Sequence, residues 1–269
     1  IIQFFWIFSI RFMPYADQEN VIVCAKQLLH GEFREFSMPG SYFGIYPFQI
    51  GIIYYIALVF RMFSTENFLI LQALNVIFSL LNMFLMLKIT KQLFKKEDVQ
   101  KILNILLLFF SIYFIFFNVH VYGNINGLTF GLVALYFTLK YLEKRKKRYL
   151  VIIAVSIAIS IALKSNYNIF LCGIVLTLML DFIKEKKLMT VLGVVGIIFA
   201  YLIVQSGLKL SLENTIDAKV PEGIPMIGYI YMGMHSSETM SSGWYSSVPV
   251  DTFQKNGFDE QKTSEEDKQ

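Results

Sequence analysis

Charged residues are scarce. Asp, Glu, Lys and Arg make up 16% of the 269 residues, against about a quarter in an ordinary soluble domain. With 55% hydrophobic residues and a mean hydropathy of +0.55, this excludes a soluble globular chain. Cysteine is nearly absent. Cys24 and Cys172 stand far apart, with no CxxC spacing and no neighbouring histidine, so they read as structural thiols and imply neither a disulfide framework nor a zinc site. There is no GxGxxG, no P-loop, no DxD pair and no cluster at metal-ligand spacing. These gaps remove nucleotide-binding modules from consideration, and no metal and no cofactor is expected. The net charge of +4 sits in short loops between apolar runs, so nucleic acid is not an expected partner.

What the chain has in quantity is long apolar segments: 1–13, 68–87, 101–118, 126–142, 149–164, 169–183 and 188–208. Each but the first has about the length that crosses a bilayer. The first begins at Ile1, inside an apolar run, and the chain closes on polar DEQKTSEEDKQ. It therefore reads as a fragment that starts within its first membrane helix and stops before its end. The pattern predicts an all-α polytopic membrane protein.

Lysine and arginine set the orientation. They crowd into 88–101, 140–148 and 184–187, whereas NVHVYGNIN (118–126) and KSNYN (164–168) carry only Lys164. The basic loops belong on the cytoplasmic side and the others outside. Alternation then places residues 14–67 in one long external loop. The run 47–60 is short for a span, and is expected to lie along or dip into the outer leaflet. The expected division is a transmembrane domain over 1–208, which includes that external loop, and an extracytoplasmic segment over 209–269.

Within the loop, Val21, Ile22, Ala25, Leu28 and Leu29 repeat at helical spacing, predicting an amphipathic helix over 18–30. Asp17 occupies the N-cap position and Gly31 the left-handed C-terminal position. Glu19, two residues on, faces elsewhere.

Four segments in this order resemble one group of proteins: PYADQENVIVCAKQLLHGEF, YPFQIGIIYYIALVFRMFSTENFLILQALNV, YGNINGLTFGLVALYFTLKYL and LKSNYNIFL. They are similar to the membrane glycosyltransferases of GT-C architecture, especially the protein O-mannosyltransferase and lipid A aminoarabinose transferase group and related proteins of low-GC Gram-positive bacteria. The resemblance implies a GT-C-like helix bundle with a long first external loop carrying surface helices. It implies transfer of a sugar from a polyprenyl-phosphate carrier, a membrane lipid, to an acceptor outside the cytoplasm, in a bacterial cell membrane. It also implies that the acidic residue of the first external loop, Asp17 by position, acts on the acceptor. The chain departs from the eukaryotic pattern: Asp-Gln-Glu replaces an Asp-Glu pair, and only Tyr46-Pro47 stands where His-Pro-Pro follows.

Inverting transfer needs a base for the acceptor hydroxyl and stabilisation of the leaving phosphate. Asp17 can be that base or a plain cap, and the two roles are compatible because capping uses only part of a carboxylate's acceptor capacity. Glu19 binds acceptor or is solvated. Lys164 suits a lipid phosphate, or snorkels at the interface. Arg34 is a second phosphate candidate. His120, Tyr122 and Asn124 contact the substrate or lie at the surface. Tyr42, Phe43, Tyr46 and Phe48 suit an interfacial belt, and Trp244 and Tyr245 a sugar platform or a docking contact. Two other functions compete: a transporter or flippase of a lipid-linked or small solute, and a non-catalytic membrane scaffold. A transporter is expected to carry polar groups within its spans, and these spans look nearly free of them.

Overall fold

The computed structural model describes residues 1–234, 236, 241, 243 and 245–266, with the backbone alone at 108, 110 and 111. Trp244 lies outside them. Among the described residues there is no strand. The helices are α1 (Ile2–Ile10), α2 (Asp17–His30), α3 (Arg34–Ser37), α4 (Tyr42–Ile45), α5 (Ile50–Phe63), α6 (Leu69–Leu93) and α7 (Glu97–Phe117). They continue with α8 (Asn124–Lys144), α9 (Lys147–Leu163), α10 (Asn168–Glu185), α11 (Leu188–Ile216), α12 (Met226–Met234), α13 (Val248–Lys255) and α14 (Glu260–Glu266). Among the described residues five segments are long and apolar enough to cross a membrane: α6, α7, α8, α10 with the turn before it, and α11. α9 has 17 residues, the lower limit for a span. The chain is an all-α, multi-pass membrane protein. α5 has 14 residues and reaches only about 21 Å at 1.5 Å per residue, short of a full crossing.

The chain forms two compact units. The first comprises 1–26 and 49–208; the second, 27–48 and 209–269. The expected boundary at 208/209 therefore differs from the observed grouping by one segment, 27–48. The reason is apolar packing within the second unit: Ile45, Ile224, Val250 and Phe253 are buried together, with Tyr46, Tyr229, Met232 and Phe258 around them. The Ile224 amide donates to the Ile45 carbonyl at 3.2 Å. α4 is capped by Ser41, whose hydroxyl accepts from the Gly44 amide at 2.9 Å.

In the first unit α8 packs on both α9 and α6, and α6 packs on α7. Lipid tails are as apolar as the side chains, so close packing rather than water exclusion holds such helices together. The α8–α9 contact shows this. Gly127 and Gly131 face Ser160, and the Ser160 hydroxyl donates to the Gly127 carbonyl at 2.7 Å. Below it, Ile153, Ile157 and Ile161, one turn apart, are buried against Ile174 and Leu178 of α10 and Val194 and Ile197 of α11.

α8 and α10 both end on a cation in the left-handed region, Arg145 (φ 55°) and Lys186 (φ 53°). Each cation meets the negative end of its helix dipole, and each starts a two-residue connection to the next helix. Arg145 also forms a two-pronged ion pair with Asp181 of α10, one of its contacts measuring 2.7 Å. Thr190 of α11, fully buried, lies 3.0 Å from the Tyr141 hydroxyl and donates to Asp181 at 3.4 Å. Three helices are thereby tied at one end of the bundle.

The spans are not free of polar groups, contrary to expectation. Gln72, Asn75, Ser79 and Asn82 lie on one face of α6, spaced three, four and three residues apart, and all are buried. Gln72, Asn75 and Asn82 donate to backbone carbonyls and Ser79 to the Asn118 side chain, at the opposite end of the bundle from the Arg145–Asp181 pair.

Candidate functional site

That end is formed by the start of α2, the 118–123 loop between α7 and α8, and the 164–167 turn between α9 and α10. α2 starts one residue earlier than expected. Ala16, in the left-handed region at φ 51°, precedes it, and Asp17 is its first residue. Asp17 is therefore not the N-cap, but it still lies in the first turn, where the helix dipole favours a carboxylate. Its side chain is exposed, as is that of Glu19, which projects from another side of the turn. Between them Gln18 is buried, 2% exposed. Val21, Ile22 and Ala25 form the buried face of the helix, and Gly31 follows at φ 76°, both as expected.

Besides backbone bonds from the Asn118 and His120 amides to the Phe114 and Phe117 carbonyls, the 118–123 loop is held by side chains. Gln72 Nε2 donates to the Val119 carbonyl at 3.1 Å and to the Phe12 carbonyl at 2.9 Å. Asn75 Nδ2 donates to the carbonyls of Asn118 and His120, both at 3.1 Å. Ser79 donates to Asn118 Oδ1. On the other side the Val121 amide donates to Gln18 Oε1 at 2.8 Å. The loop ends at Gly123, φ 77°, where a Cβ would stand 2.2 Å from the Leu163 carbonyl oxygen.

Lys164 follows directly. Its ammonium lies 3.4 Å from the centroid of the Tyr122 ring, a cation–π contact. The Tyr122 hydroxyl accepts from Gln49 Nε2 at 2.6 Å. Burial pushes the Lys164 ammonium down to about 8, opposed by the negative charge of Asp17. His120 stands 6.2 Å from Tyr122 and 4.8 Å from Phe117, centroid to centroid. Its imidazole is held below the usual histidine range, first by burial and then by Lys164, again with Asp17 opposing. At neutral pH it is an uncharged ring. Asp17, His120, Tyr122 and Lys164, all selected from sequence, thus share one electrostatic neighbourhood.

Arg34 belongs to the second unit, where it is exposed with its Nε 3.3 Å from Met38 Sδ. Asn124 begins α8, and its carbonyl accepts from the Tyr167 hydroxyl. In the second unit Tyr42, Tyr46, Phe48 and Tyr229 form a run of adjacent rings. Sequence reasoning missed Gln18, Gln49 and the α6 stripe. The three-four-three spacing of amides and a hydroxyl inside an apolar helix was the available signal.

Two glycines set the Lys164 turn. A Cβ on Gly51 would stand 2.1 Å from the Ala162 carbonyl oxygen, so α5 approaches α9 only without a side chain there. Gly51→Ala is expected to lower stability by about 1–3 kcal/mol, read as a fall in the melting temperature of the detergent-solubilised chain. Gly173→Ala is the control, since nothing lies within 4 Å of that Cβ position. Equal melting of both variants with wild type removes the close approach.

A family model described as dolichyl-phosphate-mannose-protein mannosyltransferase matches residues 49–207. The match includes His120, Tyr122 and Lys164 and begins after Asp17. No curated protein and no solved structure gives a significant match.

Proposed function

The chain belongs to the dolichyl-phosphate-mannose-protein mannosyltransferase family, and from that premise we propose that it moves a sugar from a polyprenyl-phosphate donor to an acceptor hydroxyl outside the cytoplasm. One observation carries the reading: Asp17, His120, Tyr122 and Lys164, from three separate stretches of chain, meet at one end of the membrane bundle. The stretches at the other end, 88–101, 140–148 and 184–187, hold 14 of the 24 basic residues, which supports placing that end in the cytoplasm and the cluster outside.

The donor lipid brings its phosphate and C1 to the outer leaflet. The exposed Asp17 carboxylate takes the proton of the acceptor hydroxyl as its oxygen attacks C1. The C1–O bond to phosphate breaks with inversion, and the polyprenyl phosphate leaves. The ammonium of Lys164 offsets the charge on that phosphate. The Tyr122 face keeps the cation in place, and neutral His120 offers a ring nitrogen for hydrogen bonding to sugar or acceptor. Glu19, exposed beside the same turn, is available to the acceptor. The acceptor class is a cell-surface glycan, lipid or protein.

The sign of the pH dependence follows from Lys164. Its folded value, about 8, lies below the ordinary lysine value, so the cation predominates below about pH 8, is half lost there and is lost above it. kcat/KM for the lipid donor, which reports the free enzyme, is expected to fall about tenfold per pH unit above that point. Lys164→Arg keeps its charge and is expected to flatten the profile up to about pH 10, and Lys164→Ala to raise the donor KM below about pH 8 and to converge on wild type above it, where the wild-type ammonium is itself lost. The assay uses membranes containing the chain and a panel of labelled polyprenyl-phosphate sugars. Transfer from no member of the panel overturns the function; identical profiles for wild type and Lys164→Arg overturn the role of Lys164.

A further inference from the structure

Gln18 lies one residue from Asp17, and the amide it accepts from lies one residue before Tyr122. Its Oε1 takes the Val121 N–H at 2.8 Å, and both residues are buried, 2% and 4% exposed. This hydrogen bond joins the helix that carries the carboxylate to the loop whose ring carries the Lys164 ammonium. Behind the loop, Gln72 bridges the carbonyls of Val119 and Phe12, so it grips both the loop and the connector leading into α2. Asn75 fixes the carbonyls on either side of Val119. The loop backbone is therefore held from α6 through its carbonyls and from α2 through one amide. A buried amide left without its acceptor bears a desolvation cost, so loss of Gln18 drives the loop to move until Val121 finds another partner. Tyr122 moves with it.

We propose that Gln18, backed by Gln72 and Asn75, is a positioning clamp that holds the His120–Tyr122 loop against the first turn of α2 and so sets Asp17 opposite Lys164. Gln18 is a positioning residue, since it acts through Val121 and Tyr122 and touches no reacting atom. The inference deepens the proposed transferase reading and rests on it for its consequence, but the clamp can be tested without turnover.

The test follows the pH at which Lys164 reacts with an amine-selective reagent, by mass spectrometry of the full chain in membranes. The charged and titratable groups facing Lys164 are Asp17 from α2 and His120 from the loop. Tyr122 lies beneath the ammonium. In the native background Asp17→Asn should lower the Lys164 midpoint by about 0.5–1 pH unit, because an opposite charge is removed. In a Gln18→Met background, which keeps side-chain length but has no amide oxygen, Asp17→Asn should no longer shift it. Gln18→Glu retains an acceptor for Val121 and should restore the shift. Asn75→Leu, which releases the loop from the α6 side, should weaken the coupling as Gln18→Met does, and serves if Gln18→Met does not fold. In the transfer assay Gln18→Met should lower kcat more than it changes the donor KM. An Asp17→Asn shift that persists unchanged in the Gln18→Met or Asn75→Leu background, or that is missing from the native background, overturns the clamp. Absence of transfer with the coupling intact instead overturns the proposed function and leaves the clamp standing.

Discussion

Asp17→Asn is expected to cut sugar transfer by about 10²–10⁴-fold, the usual contribution of a positioned general base, while the chain folds and inserts normally. The substitution preserves shape and keeps a polar group in the first turn of α2. It removes the only feature the reaction needs there, a group able to accept a proton. The side chain is exposed, so little of the fold depends on its charge, whereas the helix is anchored by Val21, Ile22 and Ala25 on its other face. The melting temperature and the detergent elution profile should match wild type, which separates loss of chemistry from loss of structure. Asp17→Glu should recover part of the rate, because it restores the base about one methylene out of place. Glu19→Gln should have a smaller effect, seen in the acceptor KM. An Asp17→Asn chain that transfers at the wild-type rate would falsify the assignment of the base.

Breaking the Arg145–Asp181 pair should have the largest effect on stability. Arg145→Ala leaves the Asp181 carboxylate, about 10% exposed, without its cation, at a cost of about 3–5 kcal/mol. Asp181→Ala should cost a similar amount from the other side. The damage extends beyond the pair. Asp181 also accepts from Thr190, and Thr190 bonds Tyr141, so the change loosens α8, α10 and α11 together. The double variant Arg145→Ala/Asp181→Ala removes both charges and should be less destabilised than the sum of the single variants. Thermal melting of the four proteins measures this directly. Strict additivity would show that the pair does not couple. Lys164 and His120 lie at the other end of the bundle, so turnover per folded molecule should change far less than the folded fraction.

The candidate site was partly legible in the sequence. Asp17 stands at the lip of an apolar run, but it is the family resemblance that singles it out over Glu19. Lys164 is legible from local composition and the charge bias of loops, as the lone cation in otherwise uncharged loops. Gln18 was not legible, because nothing local distinguishes a buried amide from a solvated one in a short polar stretch. The polar stripe of α6 was overlooked for a related reason: a hydropathy average absorbs four uncharged polar residues among many apolar ones.

By itself the sequence determined which segments are long and apolar enough to cross a membrane, which loops carry positive charge and, to within one residue at its start, the extent of α2. Apolar length, basic residues and helix-terminal residues act over a few positions and require no knowledge of neighbours. Only the tertiary structure decided that α6 turns its amides toward the 118–123 loop, that 27–48 packs with 209–269, and that Asp17 lies within electrostatic reach of Lys164. In lipid both the outer and the inner faces of a helix are apolar, so periodicity does not specify rotation about the helix axis. Rotation is decided instead by close approaches such as Gly51 against Ala162 and by buried polar bonds such as Gln18 with Val121, and each of these joins residues that the chain holds far apart.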